Sequence, residues 1–343
     1  MFTIHLNTGS QLNLNGQHLG TGGQAQIYQC LGQDGKHYLV KAMFNEDSIF
    51  KRLYEAKTRL NSKLPLSLNK RSFPIGQGYC SPQEIGVTSA KGIYLLAFDW
   101  LDAEPLDHKF RIIEDDKVAA FVQQNNIPDF NVRKKIAMDI AEALMLLENA
   151  GIVHGDLYPD NFMVEANNKV HVIDLEGCGI SHKYNQWLYH PIATGKRSTF
   201  PYPPSTTGEY KTSHDAEGNT YKYIKTSAYT DRWTGLSLIW YVLTSLPSPF
   251  VFLKNGGESN ISALQNAAQN SPPQWIPVVS NFDKWSTKCT PQHFQGFFDK
   301  HFLPDFGKLL HKTFITGFNN PSQRSTFKVI YAVLKKMNSV PPK

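Results

Sequence analysis

Between residues 152 and 174 the chain places two aspartates and an asparagine at spacings that suit one kind of chemistry. The segment reads Ile152-Val153-His154-Gly155-Asp156-Leu157-Tyr158-Pro159-Asp160-Asn161-Phe162-Met163-Val164, and thirteen residues after Asn161 comes Asp174, in Val170-His171-Val172-Ile173-Asp174-Leu175-Glu176-Gly177. The apolar runs predict short strands at 161–164 and 169–173, so Asp156 and Asn161 fall on a loop and Asp174 at the end of a returning strand. Oxygens of this kind are hard ligands, of the type that magnesium carrying nucleotide phosphates takes. Asp156 is then left to orient a hydroxyl nucleophile and accept its proton. His154 is read as packing beside the loop rather than as a base.

A nucleotide site needs a second set of groups, and the first hundred residues offer candidates. In Leu19-Gly20-Thr21-Gly22-Gly23-Gln24-Ala25-Gln26-Ile27-Tyr28, glycines between two strands let backbone N–H groups approach phosphate oxygens without a Cβ clash. The same glycines also suit a plain hairpin turn. Lys41, in Leu39-Val40-Lys41-Ala42-Met43, is either a solvated edge lysine or an inward cation that needs an acid. Glu55, midway along the next predicted helix, is the acid expected to hold it.

The surrounding pattern changes character near Pro105. Short strands at 12–14, 26–30, 37–41, 84–88 and 92–98 surround one helix at 48–64. A long amphipathic helix is predicted at 132–150 with Gly151 as its cap. Further helices are expected at 230–246, 293–302, 306–318 and 325–337, and residues 178–229 read as a long loop. A strand-rich first third and a helical remainder predict an α+β chain of two lobes, residues 1–100 and 101–343, with a cleft between them.

Composition narrows the alternatives. Of 343 residues 41% are hydrophobic, which excludes wholesale disorder. The net charge of +6 is spread along the chain, so no nucleic-acid partner is expected. Cys30, Cys80, Cys178 and Cys289 form no CxxC pair, and a reduced, cytoplasmic setting is the default. The apolar stretch 236–253 contains prolines and polar residues and reads as a buried helix ending at Pro247, not as a membrane span.

Together these motifs resemble the protein-kinase superfamily, in particular eukaryotic-like Ser/Thr protein kinases of the type found in bacteria. The glycine loop, the strand lysine, the H-x-D-L-x-P-x-N loop and the Asp-x-x-Gly occur in the family's order. The resemblance implies a two-lobed fold with a small antiparallel β lobe and a larger helical one. It implies that ATP and Mg2+ are used, with Gly20, Gly22, Gly23 and Ile27 covering the nucleotide. Lys41, held by Glu55, would position the phosphates, Asn161 and Asp174 would bind magnesium, and Asp156 would act on the substrate hydroxyl. Phe98-Asp99-Trp100-Leu101 resembles the hinge, where the backbones of Asp99 and Leu101 would hold adenine. Tyr229-Thr230-Asp231-Arg232-Trp233 is similar to the start of the family's central helix, and there Asp231 would accept hydrogen bonds from the catalytic-loop backbone. Pro321-Ser322-Gln323-Arg324 resembles the late motif before the last helix.

The departures from the pattern are specific. Ala25 replaces the third glycine, Gly155 stands in place of an Arg, and Tyr158 in place of a Lys. Asp174-Leu175-Glu176-Gly177 carries one residue more than D-F-G, and Ser205 stands where a Glu would partner Arg324, a place that Glu209 could take. The expected function is ATP-dependent phosphorylation of Ser or Thr on a protein substrate, with regulation by a separate partner protein. Two alternatives stay open: a small-molecule phosphotransferase like the aminoglycoside and choline kinases, and an ATP-binding pseudokinase acting as a regulatory module. Ser198 and Thr199, beside Lys196 and Arg197, form either an autophosphorylation site or a solvated loop. The insertion 205–229 is either a substrate or partner contact or a tolerated surface loop.

Overall fold

Alternating apolar residues build the first unit. Phe2 and Ile4 lie in β1 (Phe2–Leu6), Leu12 and Leu14 in β2 (Gln11–Thr21), Tyr28 and Cys30 in β3 (Ala25–Gly32), and Tyr38, Val40 and Ala42 in β4 (His37–Met43). Cys80 comes from β5 (Gly76–Cys80), and Ile93, Leu95 and Ala97 from β6 (Ile93–Asp99). A period of two puts each set on one face of its strand. In the computed structural model these faces line the inside of a closed antiparallel barrel with the strand order β1-β2-β3-β4-β6-β5. The structure describes residues 1–21, 25–43, 48–60, 68, 72–86, 92–114, 117–180, 189–191, 210–214, 220–246, 291–317 and 320–339.

The closing seam between β1 and β5 depends on glycine. A Cβ on Gly76 would stand 2.7 Å from the carbonyl oxygen of His5, and one on Gly78 would stand 2.2 Å from that of Thr3. Only bare backbone lets the two strands come this close, which is why β5 lacks the apolar alternation that marks the other strands. The sequence pattern predicted a meander there and neither β5 nor the closure.

The predicted strand at 84–88 is a correction. Residues Pro82–Ile85 form a 3-10 turn instead. Glu84 accepts the Ser81 backbone N–H at 2.6 Å, Pro82 presets the first turn, and Gly86 ends it at φ 68°. These local signals outweigh the β-propensity of the apolar residues nearby. The helix α1 (Ser48–Arg59) buries Ile49, Leu53 and Ala56 at helical spacing. The chain divides into two compact units, of which residues 1–104 with 163–178 form the first. In that second segment Val170–Val172 pairs with the strand Phe162–Val164, and the Ser72 hydroxyl donates to the Val172 carbonyl at 2.5 Å.

The second unit, residues 105–162 and 179–343, is mainly helical. It contains α2 (Leu106–Lys109), α3 (Val118–Gln124), α4 (Phe130–Asn149), α5 (Ala228–Thr244), α6 (Pro291–His301), α7 (Pro304–Leu310) and α8 (Phe327–Ser339). Gly235 is the point where α4, α5 and α8 meet: a Cβ there would lie 2.5 Å from Phe327 and 3.0 Å from Leu144. Two consecutive buried cations of α4 serve the C-terminal ends of two other helices. Arg133 donates to the Val242 carbonyl of α5 at 2.8 Å, and Lys134 to the Met337 carbonyl of α8 at 3.2 Å. Cations at these ends satisfy orphan carbonyls and complement the helix dipole. At the other end of α4, Glu148 pairs with Arg232 at 2.5 Å and accepts the Phe327 N–H, at the start of α8, at 3.0 Å.

Residues 236–244 of the apolar stretch lie in α5, which is almost wholly buried and ends at Thr244, while Pro247, expected to end the helix, lies outside the described residues. Among the described residues no helix is long and apolar enough to cross a membrane. The long loop expected at 178–229 needs a second correction. Tyr210–His214 and Thr220–Lys225 pair antiparallel, with Thr212 opposite Lys222, and Tyr189–Pro191 pairs on the far side of the latter. Tyr221, Tyr223 and Ile224 are good strand formers, but interleaved lysines and nearby Gly, Asp and Asn residues disguise the strand as a loop.

Candidate functional site

The site residues of the first unit sit on the outer face of the barrel wall. Because β4 sends Val40 and Ala42 inward, Lys41 points the opposite way, level with Ile27 of β3 and Leu96 of β6. Its Nζ lies 5.5 Å from the centre of the Phe98 ring, and the side chain is only 12% exposed. A cation in such a place needs anionic partners. It has two, Asp174, which it contacts directly, and Glu176 at 2.7 Å. Burial alone would lower the Lys41 ammonium; Asp174 and Glu176 together outweigh it and hold the group above the usual lysine range. One ammonium does not neutralise two carboxylates fully. Burial therefore still raises the Glu176 carboxyl, with Lys41 opposing.

Asp174 reaches Lys41 from an unusual backbone. Its φ is 62°, in the left-handed region that non-glycine residues seldom occupy, and the 3-10 turn Leu175–Gly177 follows at once. Such strain costs on the order of 1 kcal/mol and persists where surrounding structure enforces it. Leu175 and Cys178, both fully buried, pin the turn. Asp174 stays 44% exposed, so its carboxylate remains accessible to a cation.

Glu55 is the correction at this site. The pairing expected with Lys41 is not the one formed: Glu55 accepts from Arg59 one turn along α1 at 3.0 Å. Lys41 pairs with the buried Glu176 instead. Arg52 of the same helix donates to the Glu176 carbonyl oxygen at 3.3 Å. The helix expected to bring an acid to the site thus brings a cation to the turn that carries one. Glu176 is the residue that sequence reasoning missed, although the extra residue in Asp174-Leu175-Glu176-Gly177 was its signal.

The remaining expected nucleotide-binding residues also have defined places. Gly20 pairs with Ile27 across a register shift that begins after His18. A Cβ on Gly20 would meet no atom within 4 Å, so packing is not what requires glycine there. Gly22 and Gly23 lie outside the described residues. Asp99 ends β6 opposite Tyr38, and Leu101 is buried.

The site residues of the second unit are organised by its polar core. Gly151, at φ 69°, ends α4, and Ile152 and Val153 pair with Ile180 and Gly179. The chain then turns through Gly155 at φ 80°, a conformation that explains glycine where the superfamily pattern carries Arg. Buried Asp231 clamps this turn: its two carboxylate oxygens accept the His154 N–H at 2.7 Å and the Gly155 N–H at 3.0 Å. Burial pushes its carboxyl up to about 7, against the pull of those two bonds. His154 is fully buried, stacks on Phe162 at 6.3 Å, and accepts the Asp156 N–H on Nδ1 at 3.3 Å. It is a packed support of the loop.

Asn161 completes the loop from the 3-10 turn Pro159–Asn161. Its amide nitrogen donates to the Asp156 carbonyl at 2.7 Å and to the Asp156 carboxylate at 3.1 Å. That leaves the Asn161 carbonyl oxygen as the atom it can offer a cation. Tyr158 is buried. Among the described residues Arg324 donates to the carbonyls of Gly317 at 2.9 Å and Tyr229 at 2.8 Å, and lies 5.1 Å from the centre of the Trp233 ring. Ser198, Thr199, Ser205 and Glu209 lie outside the described residues.

Residues 112–216, which include Asp156, Asn161, Asp174 and Glu176, match the model of the lipopolysaccharide kinase (Kdo/WaaP) family. The chain is also similar to serine/threonine-protein kinase PKH1 of Saccharomyces cerevisiae, with 22% identity over 215 residues, 62% of this chain and 23% of the relative. A MAP kinase-interacting serine/threonine-protein kinase 1 of Xenopus tropicalis is 34% identical over 128 residues, 36% of this chain and 29% of the relative. The matches thus span less than a third of either relative's length.

Proposed function

We propose that the chain, a member of the kinase superfamily, acts as a phosphotransferase and moves the γ-phosphoryl of ATP to a Ser or Thr hydroxyl of a protein. The observation that carries the reading is the contact between Lys41 and Asp174, residues 133 apart in sequence. A buried lysine and a half-exposed aspartate held together suit a triphosphate and its cation. We read the two compact units as the two lobes of a kinase-like fold.

In this reading Lys41 binds the α- and β-phosphates, and backbone N–H groups of the Gly20 loop cover them. Asp174 of the first unit and Asn161 of the second would each offer a hard oxygen of the kind Mg2+ takes, and the ion would supply positive charge against the phosphate oxygens. Asp156, fixed by the Asn161 amide and by the turn that Asp231 clamps, accepts the hydroxyl proton. The hydroxyl oxygen forms the new bond to the γ-phosphorus as the bond from that phosphorus to the β-bridging oxygen breaks, and ADP leaves. Since Arg324 and Asp231 are core elements here, the loop geometry is fixed by packing. This makes positioning, not a side-chain switch, the main contribution of the second unit.

A second reading, in which the hydroxyl belongs to a saccharide, is favoured by the matched lipopolysaccharide-kinase model and by the absence of a cation at positions 155 and 158. Incubation with labelled ATP and Mg2+, offered casein-like proteins and a saccharide panel in parallel, tests both. Phosphoserine or phosphothreonine supports the first reading, and phosphorylated sugar alone supports the second. Nucleotide binding without transfer to either sinks both in favour of a pseudokinase.

A further inference from the structure

Lys41 needs an acid that stays with it. If Asp174 turns to a metal ion, as the phosphoryl-transfer reading requires, its share of the Lys41 ammonium is given up. Glu55 does not stand ready to replace it, because its carboxylate accepts from Arg59 through two nitrogens, at 3.0 and 3.3 Å. Glu176 does. Its carboxylate lies 2.7 Å from Lys41 Nζ and its side chain is 8% exposed, against 44% for Asp174. A buried carboxylate leaves its cation only at a large desolvation cost, whereas a half-exposed one exchanges partners easily.

The turn that bears Glu176 is held from two sides. Leu175 is fully buried, and Arg52 of α1 donates to the Glu176 carbonyl at 3.3 Å. That main-chain anchor fixes the backbone while the side chain faces Lys41. We propose that Glu176, and not Glu55, is the positioning residue of Lys41, the acid that keeps its ammonium directed at the nucleotide phosphates while Asp174 serves the metal ion. The inference rests on the phosphoryl-transfer reading and deepens it by assigning a residue to that same site.

The test measures ATP affinity by calorimetry, with Mg2+ and again in EDTA, alongside steady-state kinetics. The variants are Glu176→Gln, Glu55→Gln, Lys41→Met and the double variant Lys41→Met with Glu176→Gln. Glu176→Gln is expected to weaken ATP binding about tenfold or more in both buffers and to raise KM, while Glu55→Gln stays within about twofold of wild type. In the Lys41→Met background, Glu176→Gln is expected to add nothing, because a residue acting through Lys41 has nothing left to position. A loss that persists undiminished in that background overturns the inference, since Glu176 would then only hold the turn. So does a Glu55→Gln loss as large as that of Glu176→Gln. If Glu176→Gln does not fold, Glu176→Asp, which keeps charge but shortens reach, replaces it against Glu55→Asp with the same expected ranking. A wild-type chain that binds no ATP overturns the phosphoryl-transfer reading itself; one that binds and transfers, with Glu176→Gln unchanged, overturns this inference alone.

Discussion

The Asp231 carboxylate accepts the backbone N–H of Gly155 at 3.0 Å, while its other oxygen takes that of His154. A helix residue more than seventy positions downstream thereby shapes the loop that carries Asp156. Asp231→Asn keeps the shape but turns an NH2 group toward one of two buried N–H donors. The expected cost is about 2–3 kcal/mol of stability, from one buried donor left without an acceptor. Turnover is expected to fall with it, because Asp156 loses its fixed position. Urea denaturation and a phosphate-transfer assay on the same preparation check both.

Asp156→Asn tests the chemistry more directly. The amide still meets the Asn161 side chain but no longer accepts a hydroxyl proton, so transfer is expected to drop by about 10²- to 10⁴-fold. ATP affinity is expected to be unchanged, as Lys41 and Asp174 are untouched. Equal losses in affinity and turnover would count against the assigned role.

What the sequence made legible follows from how local each signal is. The strands around Leu14, Tyr28 and Val40 and the helices around Leu144 and Trp233 bury apolar residues at fixed periods, and that period survives in the sequence. The clamp on the 154–155 turn was foreseeable because Asp231 sits in a recognisable helix-start pattern, and Ser227 and Thr230 cap that helix reciprocally. Barrel closure was not foreseeable, since β5 pairs through bare glycine backbone and leaves no pattern to read. The partner of Lys41 was misjudged for a related reason. Spacing alone does not say whether a helix turns Glu55 inward or bonds it to Arg59 along its own surface, and the competing acid lies far away in sequence.

Gly78→Ala is expected to destabilise the barrel by about 1–3 kcal/mol, the range for overpacking, because the added methyl would meet the Thr3 carbonyl at 2.2 Å. The neighbour is backbone rather than a movable side chain, so relief requires β1 to shift. Gly20→Ala provides the comparison, since a Cβ there meets no atom within 4 Å and stability should hold. Equal melting temperatures for the two variants would contradict the closed seam between β1 and β5.

His301 gives a test in which the sign of a pH effect is fixed in advance. It lies among the rings of Phe130, Phe297 and Phe302, and its Nε2 is 3.4 Å from the Asn125 carbonyl. Burial lowers its pKa below the ordinary 6.5, the Asn125 bond opposing and nearby Lys300 adding to the shift. The unfolded chain therefore binds the His301 proton more readily than the folded one. Its contribution to stability is present above pH 6.5 and is lost as the pH falls toward the depressed folded value. The slope from this one group is at most about 1.4 kcal/mol per pH unit, and smaller here because the ring is only partly buried. In His301→Gln that component disappears, so the gap in unfolding free energy between wild type and variant is expected to narrow as the pH is lowered from 7.5 to 5.5. Denaturant titrations at four pH values measure the gap; a constant gap would show that the imidazole titrates alike in both states, and a gap that widens on acidification would show that folding raises its pKa.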